Sequence, residues 1–250
     1  MRVMLMVKGI LDINRWESLF ENVTPFFSGM LMTLKVVAVG LAVAMIIGVI
    51  LGIFSTTKIK SLQVISRIYV EFYQNTPLVV QVFFYYNGLP MILKAILNSS
   101  RPVRLSKFLL GVVGVGLYHG AYIAEVIRTG IEAIPKGQAE AAYSQGFTQL
   151  QTMRYIILPQ TLKIILPPLA NQALNLVKNT SVLALVAGMD LMYYADNYVS
   201  STSYLQGYIL CAVLYFIICY PLAVLARKLE LRAKQELTVG KNRTSGKGVA

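Results

Sequence analysis

Two stretches of the chain are apolar without interruption. Val36 to Thr57, 22 residues, and Tyr204 to Ala226, 23 residues, contain no charged side chain. A helix crosses the hydrocarbon core of a bilayer with roughly 20 such residues, so both predict membrane spans. Phe108 to Ala124 is a shorter run of the same kind. Phe72 to Leu93 is also uncharged but is interrupted by Gln74, Asn75, Thr76, Pro77 and Gln81, and a last candidate, 165 to 188, carries Pro167, Pro168 and Lys178. The pattern predicts an all-α membrane protein with about five transmembrane helices. Pro77 has no N–H for the Tyr73 carbonyl, so the second span is expected to kink there, and Pro167-Pro168 should disturb the start of the fourth.

Three segments outside the spans have their own patterns. In the arm 1–27, Ile10, Ile13, Trp16 and Phe20 fall near one helical face, which fits an interfacial helix anchored by Trp16 or an irregular arm. The arm reads as retained, because Lys8 interrupts any signal-peptide core and no small-residue cleavage site follows. The tail 232–250 is basic, and its last eleven residues, GKNRTSGKGVA, predict partial disorder. Between the third and fourth spans, within 127–164, turn residues IPKGQ precede the helix formers Ala139, Glu140, Ala141 and Ala142. Gly146 then interrupts, a helical pattern restarts at Phe147, and Pro159 should check it after Leu158. The result expected is a bent helix pair. Its small side chains would let another protein's groove approach the backbone, with Tyr143 and Phe147, four apart, as knobs on one face; an ordinary surface helix fits the local pattern as well.

Polar groups at membrane depth are costly unless they face water, a partner or another helix. Asn171, Asn175 and Lys178 follow i, i+4, i+7 spacing, as do Tyr118, Tyr122 and Glu125, and each set forms one stripe. Asn75, Thr76 and Gln81 cluster about Pro77. These groups either line a water-accessible path for a small polar solute or bond across packed helices and a subunit seam. Glu71 and Glu125 lie near span ends with Arg67 and Arg128 close in sequence, and read as structural ion pairs. In 189–198, Asp190, Tyr193, Tyr194 and Asp196 read as an outer loop, either a gate or an aromatic belt at the interface.

Composition agrees: 56% of residues are hydrophobic, 14% are charged and the mean hydropathy is +0.61, whereas about a quarter of a soluble domain is charged. The net charge of +12 raises the question of nucleic acid, but its placement answers it. With the C-terminus cytoplasmic, the inner segments hold fourteen Lys and Arg and the outer ones seven, as the positive-inside rule requires. This predicts an N-out, C-in orientation, with 127–164 cytoplasmic and no nucleic-acid partner. Cys211 and Cys219 lie in one apolar run and read as buried hydrophobes. His119 is the single histidine, which excludes a multi-His metal site, and it reads as a hydrogen-bonded packing residue. No nucleophile-plus-histidine arrangement or Gly-x4-Gly-Lys-Ser/Thr loop occurs. The chain is not expected to be an enzyme or to hold a cofactor.

The spacing Glu140-Ala141-Ala142, Gly146, then Ile156, Leu158 and Pro159 resembles the EAA loop of permease subunits of ATP-binding-cassette importers. NTPLVVQVFFYYNGLP (75–90), GAYIAEVIRTGIEAIPKGQ (120–138) and LPPLANQALNLVKNTS (166–181) extend the likeness, over roughly Ser28 to Leu231, to the polar amino-acid branch. The resemblance implies a type I importer permease domain that pairs with a like or identical subunit. It further implies a bacterial-type inner or plasma membrane, two docked ATP-binding subunits, where ATP and magnesium would bind, and an external binding protein that would deliver a polar amino acid. Glu140, Ala141, Ala142, Tyr143, Gly146 and Phe147 would form the coupling helix; Asn75, Thr76, Gln81, Asn171, Asn175, Lys178, Asn179 and Ser181 would border the substrate path. Two positions depart from the family pattern: Gln74 stands where an arginine is common, and Asn179 where an aspartate is common. The alternative function, from the polar stripes alone, is a secondary transporter or channel for small polar solutes.

Overall fold

A computed structural model describes the backbone of residues 9–245 and the side chains of residues 9–233. Ten helices follow one another among them: α1 Ile13–Glu21, α2 Thr24–Thr56, α3 Lys60–Gln74, α4 Leu78–Ile96, α5 Lys107–Glu132, α6 Lys136–Ser144, α7 Gln149–Thr152, α8 Leu158–Asn179, α9 Leu191–Thr202 and α10 Gln206–Ser245. A π turn, Phe84–Gly88, lies within α4, another, Met153–Ile157, joins α7 to α8, and α8 runs on into a 3-10 turn, Thr180–Val186.

The centre of the bundle is the pair α2 and α5, which pack parallel. Gly40 lies against Val115, Gly48 against Ile123 and Gly52 against Ile127, while Gly116 and Gly120 of α5 receive Val43 and Ile47 of α2. Small residues every fourth position let two backbones approach where apolar burial gives no advantage over lipid. A Cβ on Gly52 would stand 2.7 Å from Ile127, so these positions accept no side chain without separation of the helices. Parallel first and third spans require the second to run the other way, and it does. Ser66 Oγ of α3 donates to the Leu51 carbonyl (2.8 Å) and Tyr69 Oη to the Leu117 carbonyl (2.9 Å).

α2, α4, α5 and α10, the last counted through Ala233, are long and apolar enough to cross a membrane. α8 is more polar than these, yet it runs antiparallel to α5 over the same depth. Gly130 meets Thr161 and Ile165 near one end, and His119 meets Gln172 and Asn179 midway. Lys107 Nζ reaches the Val186 carbonyl at the other end (3.5 Å). With α8 the bundle has five crossing segments. A second cluster, Leu19 of α1, Phe26 of α2, Leu191 and Ala195 of α9 and Cys211 and Leu214 of α10, closes the end opposite α6. Gln206 Nε2 ties the start of α10 to the Gly9 carbonyl (2.7 Å).

Several expectations change. The second span is not a kinked helix but two helices separated at Asn75-Thr76-Pro77. Pro159, Pro167 and Pro168 do not check or break the helix: Pro159 sits in the first turn of α8 and the other two lie inside it. The π turn absorbs the first irregularity, its wider ring letting the Leu158 N–H reach the Met153 carbonyl. Residues 189–198, read as an outer loop, are mostly helical: α9 begins at Leu191, capped by the buried Asp190 side chain, which accepts from the Met192 N–H. The arm contains a regular helix, α1, the first of the two forms expected of it. α10 stays helical to Ser245, through part of the tail read as disordered; residues 246–250 lie outside the described ones.

Candidate functional site

The break between α3 and α4 is built from its own side chains. Pro77 leaves the Tyr73 carbonyl without a helical donor, and Gln81 Nε2 donates to it (3.3 Å) and to the Thr76 carbonyl (3.0 Å). Asn75 Nδ2 donates to the Glu71 carbonyl (2.8 Å) and Thr76 Oγ1 to the Phe72 carbonyl (2.7 Å). Tyr85 Oη and Tyr73 Oη bond across the break at 3.2 Å. Asn75, Thr76 and Gln81 thus hold together an interrupted helix midway along the bundle, and Asn75 also stays exposed.

A cavity of about 200 Å³ opens between α5 and α8, lined by Tyr118, His119, Tyr122, Gln172, Asn175, Lys178 and Asn179. Tyr118 and Tyr122 share a hydroxyl bond at 3.0 Å. His119 is buried, bonded to Gln172 at Nδ1 (3.3 Å) and to Asn179 at Nε2 (3.0 Å). Asn171, Asn175 and Lys178 are exposed along one face of α8, and Ser181 Oγ donates to the Lys178 carbonyl (2.8 Å). Of the path candidates, Asn175, Lys178 and Asn179 come together at this cavity. Asn75, Thr76 and Gln81 gather at the break instead. Gln172 escaped the sequence reading, although its spacing of seven from Asn179 puts both on one helix face.

Nearer the end that carries α6, a crevice of about 530 Å³ between α2, α3 and α5 is lined by both ion-paired groups. Arg67 Nε meets Glu71 at 2.7 Å. Arg128 bridges Glu125 (2.5 and 2.9 Å) and Glu132 (2.5 Å). The second acid was missed, though it stands four residues on. The two pairs are each within one helix, so their contribution to stability is small.

The turn after α6 is fully determined by hydrogen bonds. Gly146 has φ +84°, the left-handed conformation that glycine adopts without Cβ strain. Its N–H donates to the Tyr143 carbonyl (2.9 Å) while the Phe147 N–H donates to the Ala142 carbonyl (3.1 Å), the paired bonds of a Schellman end. Two residues later Thr148 and Gln151 form a reciprocal capping box that starts α7 (2.8 and 3.3 Å). Glu140, Ala141 and Tyr143 are exposed and Ala142 is buried. Tyr143 and Phe147 do not share a helix face, because α6 ends at Ser144; Phe147 is half-buried in the turn. Leu150, 78% exposed, is the large apolar side chain beyond it.

The comparisons with known proteins meet this architecture. The family model of binding-protein-dependent transport system inner membrane components matches residues 44–235. The chain is 43% identical over 218 residues to the probable glutamine ABC transporter permease protein GlnM of Bacillus subtilis (strain 168), covering 87% of this chain and 97% of that one. It is 31% identical over 220 residues to the putative glutamine transport system permease protein GlnP of Rickettsia felis, covering 85% and 97%. Among solved structures, a chain of an amino acid ABC transporter crystallised with histidines matches with a TM-score of 0.77 at 32% identity, over 86% of this chain and 97% of that one. The inward-facing MetNI methionine ABC transporter shares the fold, with a TM-score of 0.59 at 18% identity over 83% and 95%. By family model, relatives and fold together, this chain belongs to the inner membrane components of binding-protein-dependent transport systems, as a multi-pass permease subunit.

Proposed function

We propose that this permease carries a polar amino acid inward and is driven by separate ATP-binding subunits. The observation that carries the reading is α8: a crossing helix that leaves Asn171, Asn175 and Lys178 exposed on one face. Exposed amides and an ammonium at that depth cannot face hydrocarbon without large cost. They face water or a second subunit, and an ammonium flanked by amides suits a carboxylate with hydrogen-bonding neighbours. The names of the relatives, glutamine and amino-acid permeases, support the same substrate class.

α6 and its turn form the coupling element. The exposed Glu140, Ala141 and Tyr143 enter a groove of the ATP-binding subunit, and Gly146 with the capping box fixes the angle at which they do so. This puts α6 and the end of α10 in the cytosol and α1 and α9 outside, in the inner or plasma membrane. A second permease chain, the same or homologous, faces the α8 stripe, two ATP-binding subunits hold ATP and magnesium, and an external binding protein delivers the amino acid. Arg67–Glu71 and Arg128 with Glu125 and Glu132 are structural pairs at the cytosolic mouth. The test is reconstitution in proteoliposomes. Amino-acid uptake is expected only with the ATP-binding subunits and ATP present; uptake by the permease alone down a gradient would refute the coupling.

A further inference from the structure

The cavity between α5 and α8 holds an arrangement that a general polar path does not require. His119 is 2% exposed, and each ring nitrogen faces a primary amide: Nδ1 lies 3.3 Å from Gln172 Oε1 and Nε2 lies 3.0 Å from Asn179 Nδ2. A neutral imidazole has one N–H and one bare nitrogen. Two amides bonded to it must therefore use opposite ends, one giving its oxygen to the ring N–H and the other its amino group to the bare nitrogen. As assigned, Nδ1–H donates to Gln172, and Asn179 donates to Nε2. The free ends are then the Gln172 amino group and the Asn179 oxygen. Exchanging nitrogen and oxygen in both amides swaps the roles and leaves the same result: one amide presents a wholly unused amino group to the cavity and the other a wholly unused oxygen.

The charge of the site completes the argument. Lys178 is the one charged side chain lining this cavity among the described residues, and no carboxylate lines it. Glu125, one turn from Tyr122, is held by Arg128. The ammonium is free to take a substrate's α-carboxylate, and the amide pair is left to read its side chain.

We infer that His119 is a positioning residue: it holds Gln172 and Asn179 as a donor–acceptor pair, and so fits the cavity to an amino acid whose side chain is a neutral carboxamide. The inference rests on the amino-acid path proposed above. A carboxamide offers an oxygen to the free amino group and an amino group to the free oxygen. A carboxylate side chain sets an anion against the free amide oxygen, and a cationic one faces the free amino group beside Lys178. Sites that leave their own polar groups unpaired with the wrong substrate discriminate strongly.

The experiment measures equilibrium binding of radiolabelled glutamine, glutamate and lysine to the permease with its ATP-binding subunits in nanodiscs, without binding protein. Glutamine is expected to bind at least about tenfold more tightly than either, about 1.4 kcal/mol. His119→Leu should bring the ratios near one, whereas His119→Asn, which again offers one donor and one acceptor, should keep most of the preference. Co-elution of the subunits on gel filtration establishes that each variant assembles. If His119→Leu does not assemble, Asn179→Asp carries the same test, because an acceptor-only group there must move the preference from glutamine toward lysine. Equal binding of the three amino acids, or ratios unchanged in an assembled His119→Leu or Asn179→Asp, overturns the inference alone. Failure to bind any amino acid overturns both it and the path on which it rests.

Discussion

Replacing Gln81 with leucine tests how a membrane helix survives an interruption at mid-depth. The Gln81 side chain is 4% exposed and its amino group serves two carbonyls, Tyr73 at 3.3 Å and Thr76 at 3.0 Å. Pro77 is the reason the first of these is unserved by the helix itself. Leucine fills a similar volume but donates nothing, and water is scarce at that depth. Each orphaned acceptor costs about 1–3 kcal/mol when buried, and removal of the Gln81 oxygen returns part of this. That oxygen is itself buried without a partner among the described residues. The net expectation is a loss of about 1–3 kcal/mol. The cause can be isolated in a Pro77→Ala background, where residue 77 regains an N–H for the Tyr73 carbonyl. There Gln81→Leu should cost less, with a coupling energy of at least about 0.5 kcal/mol. Equilibrium unfolding in mixed micelles, followed by helical circular dichroism, measures all four corners of the cycle. A Gln81→Leu variant indistinguishable from wild type, or an equal cost in both backgrounds, would show that the glutamine does not replace the missing backbone donor.

Three further outcomes are expected. Gly146→Ala places a Cβ at φ +84° and strains the turn by about 1–2 kcal/mol. It should lower the amino acid transported per ATP hydrolysed several-fold in proteoliposomes, while Gly146→Asn, which tolerates this conformation, retains most of the coupling; equal ratios in all three forms would remove the turn from the mechanism. Gly48→Leu drives a side chain into Ile123, so the α2–α5 seam must part. The subunit should then fail to co-purify with its partners at 37 °C, as seen by gel filtration, while Ile46→Leu, on the exposed face of the same helix, should behave as wild type. Burial pushes the Asp190 carboxyl up to about 6, against the Met192 N–H and the Tyr215 hydroxyl, which favour the ionised form. Its native pKa stands above the unfolded value, so its contribution is fully present below about pH 4 and is lost as pH rises through 6. Asp190→Asn, which can still cap α9, should therefore gain thermal stability over wild type at pH 8 and not at pH 4; a gain independent of pH would contradict this.

The legibility of the chain varied with the range of the physics involved. The uncharged runs 36–57 and 204–226 announced α2 and α10 because a bilayer imposes length and apolarity on any span, and both can be counted locally. Gly146 was readable as a turn because the helix formers stop there. Pro77 was placed correctly as an irregularity, but its consequence was not: whether a proline bends a helix or divides it depends on a donor for the freed carbonyl, and Gln81 is four residues beyond. Pro167 and Pro168 failed in the opposite sense, since α5 and α10 pack around α8 and hold it helical. Residues 189–198 looked like a loop because their tyrosines and aspartates are polar in isolation. In the fold Asp190 caps α9, and the Leu191 N–H donates to Thr33 Oγ1 of α2 (3.1 Å).

The sequence alone determined the class of the molecule: a helical membrane chain, its approximate spans, and the likeness of residues 140–159 to a coupling loop. These follow from composition and short spacings, which no distant residue alters. Only the tertiary structure decided which polar residues act together. Asn171, Asn175 and Lys178 share a helix face by spacing, but the meeting of Gln172 and Asn179 at His119 depends on α8 running antiparallel to α5, more than fifty residues away in the chain. That packing rests in turn on glycines such as Gly130, where only the absence of a side chain leaves room for Ile165. A hydrogen bond reads its partner within about 3 Å, and no local pattern specifies which helix will supply it.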